Sequence, residues 1–445
     1  MDQPTGFRLP HLLLPRPGID LGKWAVIACD QFTSEPEYWQ RVAAEVGAAP
    51  STLHLIFPEV FLGAADEPAR IERIRATMAD YLARGLLVDH AGTVLVERMV
   101  DGRTRRGLML ELDLEHYDFA PESTSLIRPT EGTMVARLAP RIAVRRGAAL
   151  ELPHVLVLID DPEGTVIEPI ATARGQLAPL YDTPLMLGGG RVAGHAVDAA
   201  RAEAALAALA ALGRPEVFER RYGVPPGTPQ MLFAMGDGNH SLATAKSIWE
   251  QVKAEVGPDH PSRWALVEIE NIHDPALHFA PIHRVLFGVR ADLRTALRQA
   301  FGDRLRVEEQ GSAEAMRARV QAVHDAAVAA RSAGAPQAIG LVEPGARFAV
   351  LEIADPPSAL AVGTLQAFID GFVGQGGAAS VDYVHGDDAL ARLGQQPQCA
   401  GFHLAGLGKH ELLERVVHGG PLPRKAFSMG EAHEKRYYVE ARRIR

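Results

Sequence analysis

The residues best suited to chemistry lie in MLFAMGDGNHSLATAKSIW, from Met231 to Trp249. An apolar run, expected as a buried strand, delivers Gly236-Asp237-Gly238-Asn239-His240, and a helix is expected to start directly after it. Two glycines let the backbone turn sharply and approach a ligand. The first N–H groups of a helix have no internal partner, so Gly236, Gly238, Asn239, His240 and Ser241 can cradle a phosphate. His240 can add a hydrogen bond or a positive charge. Asp237 needs its own explanation. A carboxylate beside phosphate repels it unless a cation bridges the two or the carboxylate handles a proton. Phosphoryl chemistry resolves that tension. The competing reading makes Asp237 and Asn239 turn and cap residues and His240 a satisfied polar group.

Three other stretches carry candidate groups. In SLIRPTEGTMVARL, Glu131 and Thr133 sit on an extended segment, followed by Arg137, Arg141, Arg145 and Arg146. That basic cluster can hold an anion or balance Glu151 and the Asp160-Asp161 pair. In NIHDPALHFAPIHR the spacing of His273, His278 and His283 suits neither one helix face nor the usual ligand pairs, so no metal cluster is expected there. His283-Arg284 reads better as an anion contact. In PRKAFSMGEAHEKR, Arg424, Lys425 and Ser428 can close over a phosphate, or form a solvated basic tail. The common P-loop, zincin, nucleophile-elbow and complete G-x-G-x-x-G signatures are absent.

These groups need a scaffold. At 445 residues, two or three compact units are expected, with 47% hydrophobic and 23% charged residues typical of a globular chain. With 46 Lys plus Arg against 55 Asp plus Glu, the net charge of −9 argues against a protein that works by gripping nucleic acid. Two cysteines, Cys29 and Cys399, are too few for a disulfide scaffold and fit a reducing cytoplasm. The apolar run Leu12–Leu14 is cut by Pro15, so no export signal is expected, and Val155–Ile159 falls far short of the ~20 residues that span a bilayer.

Trp24–Cys29 reads as a buried strand, 35–46 and 66–84 as helices, and 86–114 as a small antiparallel sheet. Val155–Ile159 and Val166–Ile170 flank the turn DDPEG and read as a hairpin. The alanine-rich stretch 196–212 reads as a helix, 290–353 as a separate lobe of alternating helix and strand, and 437–439 as a strand. Short turns between neighbouring strands favour a mixed α+β fold over a regular βαβ succession.

Taken together, VIACDQFTSEPEYW, RPTEGT, ELPHVLVLIDD, FAMGDGNHSLATAK, FAPIHR and LPRKAFSMGEAHEKRYY resemble the domain-of-unknown-function 1015 family, in its longer subtype, over nearly the whole chain. That family is similar to the ParB/sulfiredoxin-like fold, which includes free-serine kinases. The resemblance implies a ParB/sulfiredoxin-like nucleotide-binding unit with additional α/β lobes. It further implies that the turn 237–240 holds nucleotide phosphates, that Asp237 takes part in catalysis, and that Glu131 activates a hydroxyl. Arg141 and His283-Arg284 occupy positions where the family places an arginine and P-x-H-R. The sequence departs from the family pattern at Asn239, Ser241 and Thr130, which stand where D-G-H-H-R and H-E have His, Arg and His. An arginine is thereby lost from the phosphate turn, and Lys425, Arg424 or Arg284 is expected to supply the charge. Sulfiredoxin chemistry needs a cysteine where Asn239 stands, which disfavours a reductase.

The expectation is therefore a cytoplasmic, nucleotide-dependent kinase for the hydroxyl of a small metabolite, a serine-like amino acid first. Its alternatives are a phosphatase and a non-catalytic nucleotide sensor. Glu131 and Asp237 would be catalytic, with Asp237 also holding magnesium. Gly236, Gly238, Asn239, His240, Ser241, Arg141 and Lys425 would bind the phosphates of ATP or ADP, and Thr133, His283 and Arg284 the substrate. Three lobes are expected, 1–118, 119–289 as catalytic core, and 290–445 with its last segment returning to the site. The expected partners are a small-molecule substrate and a nucleotide, with a homodimer left open and neither membrane nor nucleic acid involved.

Overall fold

The computed structural model describes residues 6–133, 138–330, 334–423 and 425–445, so Arg137 and Arg424 lie outside the described residues. The chain divides into two units, one of residues 1–278, 409–422 and 429–445, the other of 279–408 and 423–428. The first two of the three expected lobes share the first unit, because a single sheet runs through both.

That sheet is built from β1 (Phe7–Arg8), β2 (Val94–Val100), β3 (Arg103–Asp113), β4 (Ile127–Arg128), β5 (Leu156–Ile159), β6 (Ala178–Pro184), β7 (Arg191–Ala196), β8 (Phe233–Asp237) and β9 (Trp264–Asn271). Its order is β4-β8-β5-β9-β3-β2-β7-β6, with β1 alongside β3. Pairs β4/β8 and β5/β9 are parallel and the rest antiparallel, so the core is mixed in orientation as expected for the α+β class. The run Leu156–Ile159 is buried on both faces, which suits a central strand flanked on each side. Its neighbours come from distant sequence, and the expected hairpin partner is instead a short helix, Glu168–Thr172. Two local features redirect the chain. The Asp161 carboxylate accepts the N–H groups of Thr165 and Val166 at 2.5 and 2.8 Å, and Pro169 sits in the first helical turn.

Trp24–Cys29 is buried but forms no ladder. Asp20 caps a one-turn helix, Leu21–Trp24, and the following residues bond to the C-terminal segment, Ala28 N–H to Arg436 O and Tyr438 N–H to Val26 O, both at 2.9 Å. The two strands expected at 24–29 and 437–439 are therefore partners of each other, joined by one bridge between Ile27 and Tyr437. Likewise Leu87–Ala91 pairs with His11–Pro15 and not with its neighbour β2. The helix Glu67–Ala83 turns Ile71, Ile74 and Met78 inward as its spacing predicts, with Tyr81 in place of Leu82. The alanine-rich helix Ala199–Leu212, capped by Asp198, buries Ala202, Ala205 and Leu209.

The second unit holds an antiparallel sheet in the order Leu305–Gln310, Arg347–Ile353, Gln337–Glu343, Cys399–His403, Phe279–Phe287, Ser380–His385. Helix Ala361–Gly374 buries Leu365, Phe368, Ile369 and Phe372 in this unit's core. This unit begins at residue 279 and leaves 409–422 and 429–445 to the first unit. No helix among the described residues is long and apolar enough to cross a membrane.

Candidate functional site

The strand β8 is buried from Phe233 to Met235 and ends at Asp237, after which Gly238 turns the chain in a left-handed conformation (φ 80°) into the helix Asn239–Val256. Both glycines lie tight against their surroundings. A Cβ on Gly236 would lie 3.0 Å from Met429 Sδ and 3.2 Å from Leu156 O, and one on Gly238 would lie 3.0 Å from Val155 Cα. The helix is held by Leu242, Ala243, Ala245 and Trp249 packing inward. Its hydrogen bonding begins with Leu242 N–H to Gly238 O at 3.0 Å. The N–H groups of Asn239, His240 and Ser241 therefore precede the first intrahelical bond. Asn239 Oδ1 is buried there with no hydrogen-bond partner, an acceptor that an incoming donor would satisfy.

Asp237 is held from two sides. Gly238 N–H donates to its Oδ1 at 2.9 Å, and Lys435 Nζ stands 3.1 Å from its Oδ2. Lys435, on the segment 429–445, sets an ammonium group beside this carboxylate. Glu131 approaches from the other edge. β4 runs parallel to β8, pairing Ile127 with Phe233 and Arg128 with Ala234, and the Thr130 hydroxyl donates to Met235 O at 2.6 Å. The segment carrying Glu131 is thereby aligned with the strand that ends in Asp237, and a bridge from Glu131 to Leu422 holds its far side. Thr130, where the family pattern has His, is buried and structural. Thr133 Oγ1 is buried and without a hydrogen-bond partner.

Charged groups not singled out from the sequence complete the surroundings. Asp30 Oδ2 lies 3.6 Å from His154 Nε2, and His154 Nδ1 lies 2.7 Å from the Tyr438 hydroxyl, which accepts Cys29 N–H at 3.1 Å. Burial raises the Asp30 carboxyl, but His154, Gln31 and Lys435 outweigh it and hold it below the usual range. Arg141 is committed to Glu59 at 2.5 Å. Burial pushes Glu59 upward, Arg141 opposes that and Asp30 adds to it. Burial, with Asp30 and Glu59 behind it, also raises the Cys29 thiol, which keeps it protonated and a poor nucleophile. The strings ACDQF, ELPHV and EKRYY carry these residues, and their scatter over more than four hundred positions hides the cluster from the sequence.

His283, Arg284 and Lys425 belong to the second unit. Arg284 is wholly buried there, its guanidinium bonding Gln366 Oε1 and Ile282 O and lying 5.1 Å from the Tyr383 ring. Lys425 is exposed with φ 58°. His283, Asp387 and His403 bring three ligand-type atoms within 4.8 Å of one another. Both imidazole Nε2 atoms lie 3.2 Å from Asp387 Oδ1. His283 Nδ1 accepts Leu404 N–H at 3.2 Å, which places the imidazole proton on Nε2 and makes this a hydrogen-bonded cluster rather than a set of free metal ligands.

The family model described as Protein of unknown function (DUF1015) matches residues 13–372. None of the curated proteins compared with the chain matches it. Among solved structures, a free serine kinase in complex with AMP is similar at 12% identity, with TM-score 0.37, over 74% of this chain and 90% of that one. A conserved hypothetical protein from Pyrococcus furiosus is similar at 13% identity, with TM-score 0.34, over 74% of this chain and 90% of that one. SbnI with C-terminal truncation from Staphylococcus aureus is similar at 10% identity, with TM-score 0.34, over 71% and 83%.

Proposed function

The chain belongs to the DUF1015 family, and for it we propose a nucleotide-dependent phosphotransferase that phosphorylates the hydroxyl of a small metabolite, a serine-like amino acid being the first to test. One observation carries the reading: a tight glycine turn at a helix N-terminus, with an acidic side chain neutralised by a buried-side lysine, Asp237 to Lys435 at 3.1 Å. Such a turn offers N–H groups to phosphate oxygens, and Lys435 offsets the carboxylate that would otherwise repel them.

The substrate hydroxyl oxygen would attack the terminal phosphorus of ATP or ADP in line, the bond to the leaving nucleotide would break, and the hydroxyl proton would pass to Glu131. The backbone at 238–241 and Lys435 would hold the phosphates. Positioning and charge stabilisation supply most of the acceleration in this chemistry. Both Asp237 oxygens already face proton donors, so the donor set suits a magnesium ion arriving with the nucleotide rather than one resident without it. Magnesium, held by Asp237, would neutralise developing phosphate charge.

The test is transfer of labelled phosphate from ATP or ADP to L-serine by the full chain, with Glu131→Gln and Asp237→Asn alongside. Loss of transfer in both variants, with fold retained, is the expected result. Transfer that survives in both removes the assignment, and phosphate release from phosphoserine without nucleotide would make the enzyme a phosphatase.

A further inference from the structure

A second concentration of positive charge lies in the first unit, on neighbouring strands that no motif marked. Arg98 on β2 and Arg103 and Arg105 on β3 line one side of a small open pocket, closed by His278, Met429 and Glu434. Arg98 is only 2% exposed, and it has no carboxylate within ion-pair distance among the described residues. Its guanidinium bonds carbonyl oxygens alone, Met99 O at 3.2 Å and His433 O at 3.0 Å, and its buried Nε has no partner. Glu268 and Glu434 act on it only from beyond ion-pair distance, and the Tyr437 ring lies 5.1 Å away, so a buried cation here gains from an anion in direct contact.

The other two arginines are only partly neutralised. Arg103 is paired with Glu434, whose second oxygen already accepts Glu431 N–H. Arg105 Nε lies 2.7 Å from Glu270, a fully buried carboxyl that burial pushes up to about 8 against the pull of Arg105. Three guanidinium groups thus line the pocket with one carboxyl group, Glu434. The pocket also adjoins the glycine turn through shared chain. Met429 lines it and its Sδ would lie 3.0 Å from a Cβ at Gly236, while Glu434 lines it and precedes Lys435, the partner of Asp237.

We propose that this pocket is the seat of the substrate's carboxylate, with Arg98 and Arg103 as its binding residues, so that the preferred substrates are small hydroxy acids or hydroxy amino acids rather than amino alcohols or sugars. The assignment rests on the phosphotransferase reading above. Guanidinium forks match the flat two-oxygen geometry of a carboxylate, and the narrow pocket suits that group better than a phosphate, which has the turn available. Met429 and Gly236 between the two sites would then set the distance from carboxylate to reacting hydroxyl.

Calorimetric titration of the full chain with L-serine, glycolate, ethanolamine, inorganic phosphate and ADP tests the proposal, using wild type, Arg98→Lys and the more exposed Arg103→Ala. Serine or glycolate should bind, ethanolamine about tenfold more weakly or not at all, and each variant should weaken the carboxylates about tenfold while leaving ADP affinity unchanged. If Arg98→Lys does not fold, Arg103→Ala alone carries the comparison. Carboxylate binding that is absent, or indifferent to the variants, while ADP still binds overturns the pocket and spares the phosphotransferase. Arginine-dependent carboxylate binding with no ADP binding does the reverse. Phosphate competing better than glycolate for the arginine-dependent site also overturns the assignment.

Discussion

Lys435 Nζ lies 3.1 Å from Asp237 Oδ2, with the two side chains 10% and 20% exposed. The pair is sheltered enough for its charges to matter and open enough for a ligand to reach. Every expectation about the glycine turn depends on it, because it converts a repulsive carboxylate into half of a neutral pair.

Replacing Lys435 with Met should leave Asp237 partly buried and uncompensated. The expected cost is about 1–3 kcal/mol in urea unfolding, together with at least a tenfold loss in ADP affinity by titration. Wild-type ADP affinity in this variant would show that Lys435 serves Asp237 and not the phosphates.

Two glycines separate close approach from backbone strain. Gly238 and Gly227 have φ of 80° and 82°, but a Cβ on Gly238 meets Val155 Cα at 3.0 Å while one on Gly227 meets nothing within 4 Å. Gly227→Ala should cost only the left-handed penalty, roughly 1 kcal/mol, and Gly238→Ala clearly more. Equal unfolding midpoints for the two variants would mean that the turn has room to relax.

In the second unit, burial and the neighbouring His283 lower His403 to about 4, against an ordinary value of 6.5. The unfolded chain binds that proton more readily, so stability should rise with pH from about 4 to about 6.5 and be lost on acidification through the same window. The slope from this one group is at most about 1.4 kcal/mol per pH unit. Urea unfolding of His403→Gln at pH 4.5 and 7 should show a smaller difference than wild type.

Both cysteines should resist thiol reagents in the folded protein. Burial raises both thiols, and at Cys29 the carboxylates of Asp30 and Glu59 oppose ionisation further. Maleimide at pH 8 should label the native chain slowly and both thiols fully in guanidinium. Rapid native labelling at Cys29 would place a reactive thiolate beside Asp30.

The sequence disclosed what is local. The strand, glycine turn and helix from 231 to 256 follow from an apolar run, two glycines and an amphipathic stretch, and all three stand close to their expected bounds. Glu131 was found through its motif, and β4 aligns it with that strand. Pairings between distant segments were not legible. Nothing in WAVIAC announces that its partner is the stretch around Tyr438, and nothing near Asp237 names Lys435. The basic groups were sought in 137–146 and at Arg284, yet Arg141 neutralises Glu59 and Arg284 is consumed inside its own unit. Arg98, Arg103 and Arg105 sit on alternating strand positions that look like ordinary solvated charge until the sheet buries two of them.

Residues 429–443 pack into the first unit against its earliest residues: Tyr437, Tyr438, Val439 and Ala441 are buried, and Trp24 Nε1–H donates to Val439 O at 3.0 Å. During synthesis these residues leave the ribosome long after β8 and its turn. A nascent chain that has emerged only as far as residue 428 holds Asp237 without its lysine and the arginine pocket without Met429 and Glu434. Assembly of the glycine turn with its lysine therefore has to wait for a segment made nearly two hundred residues later.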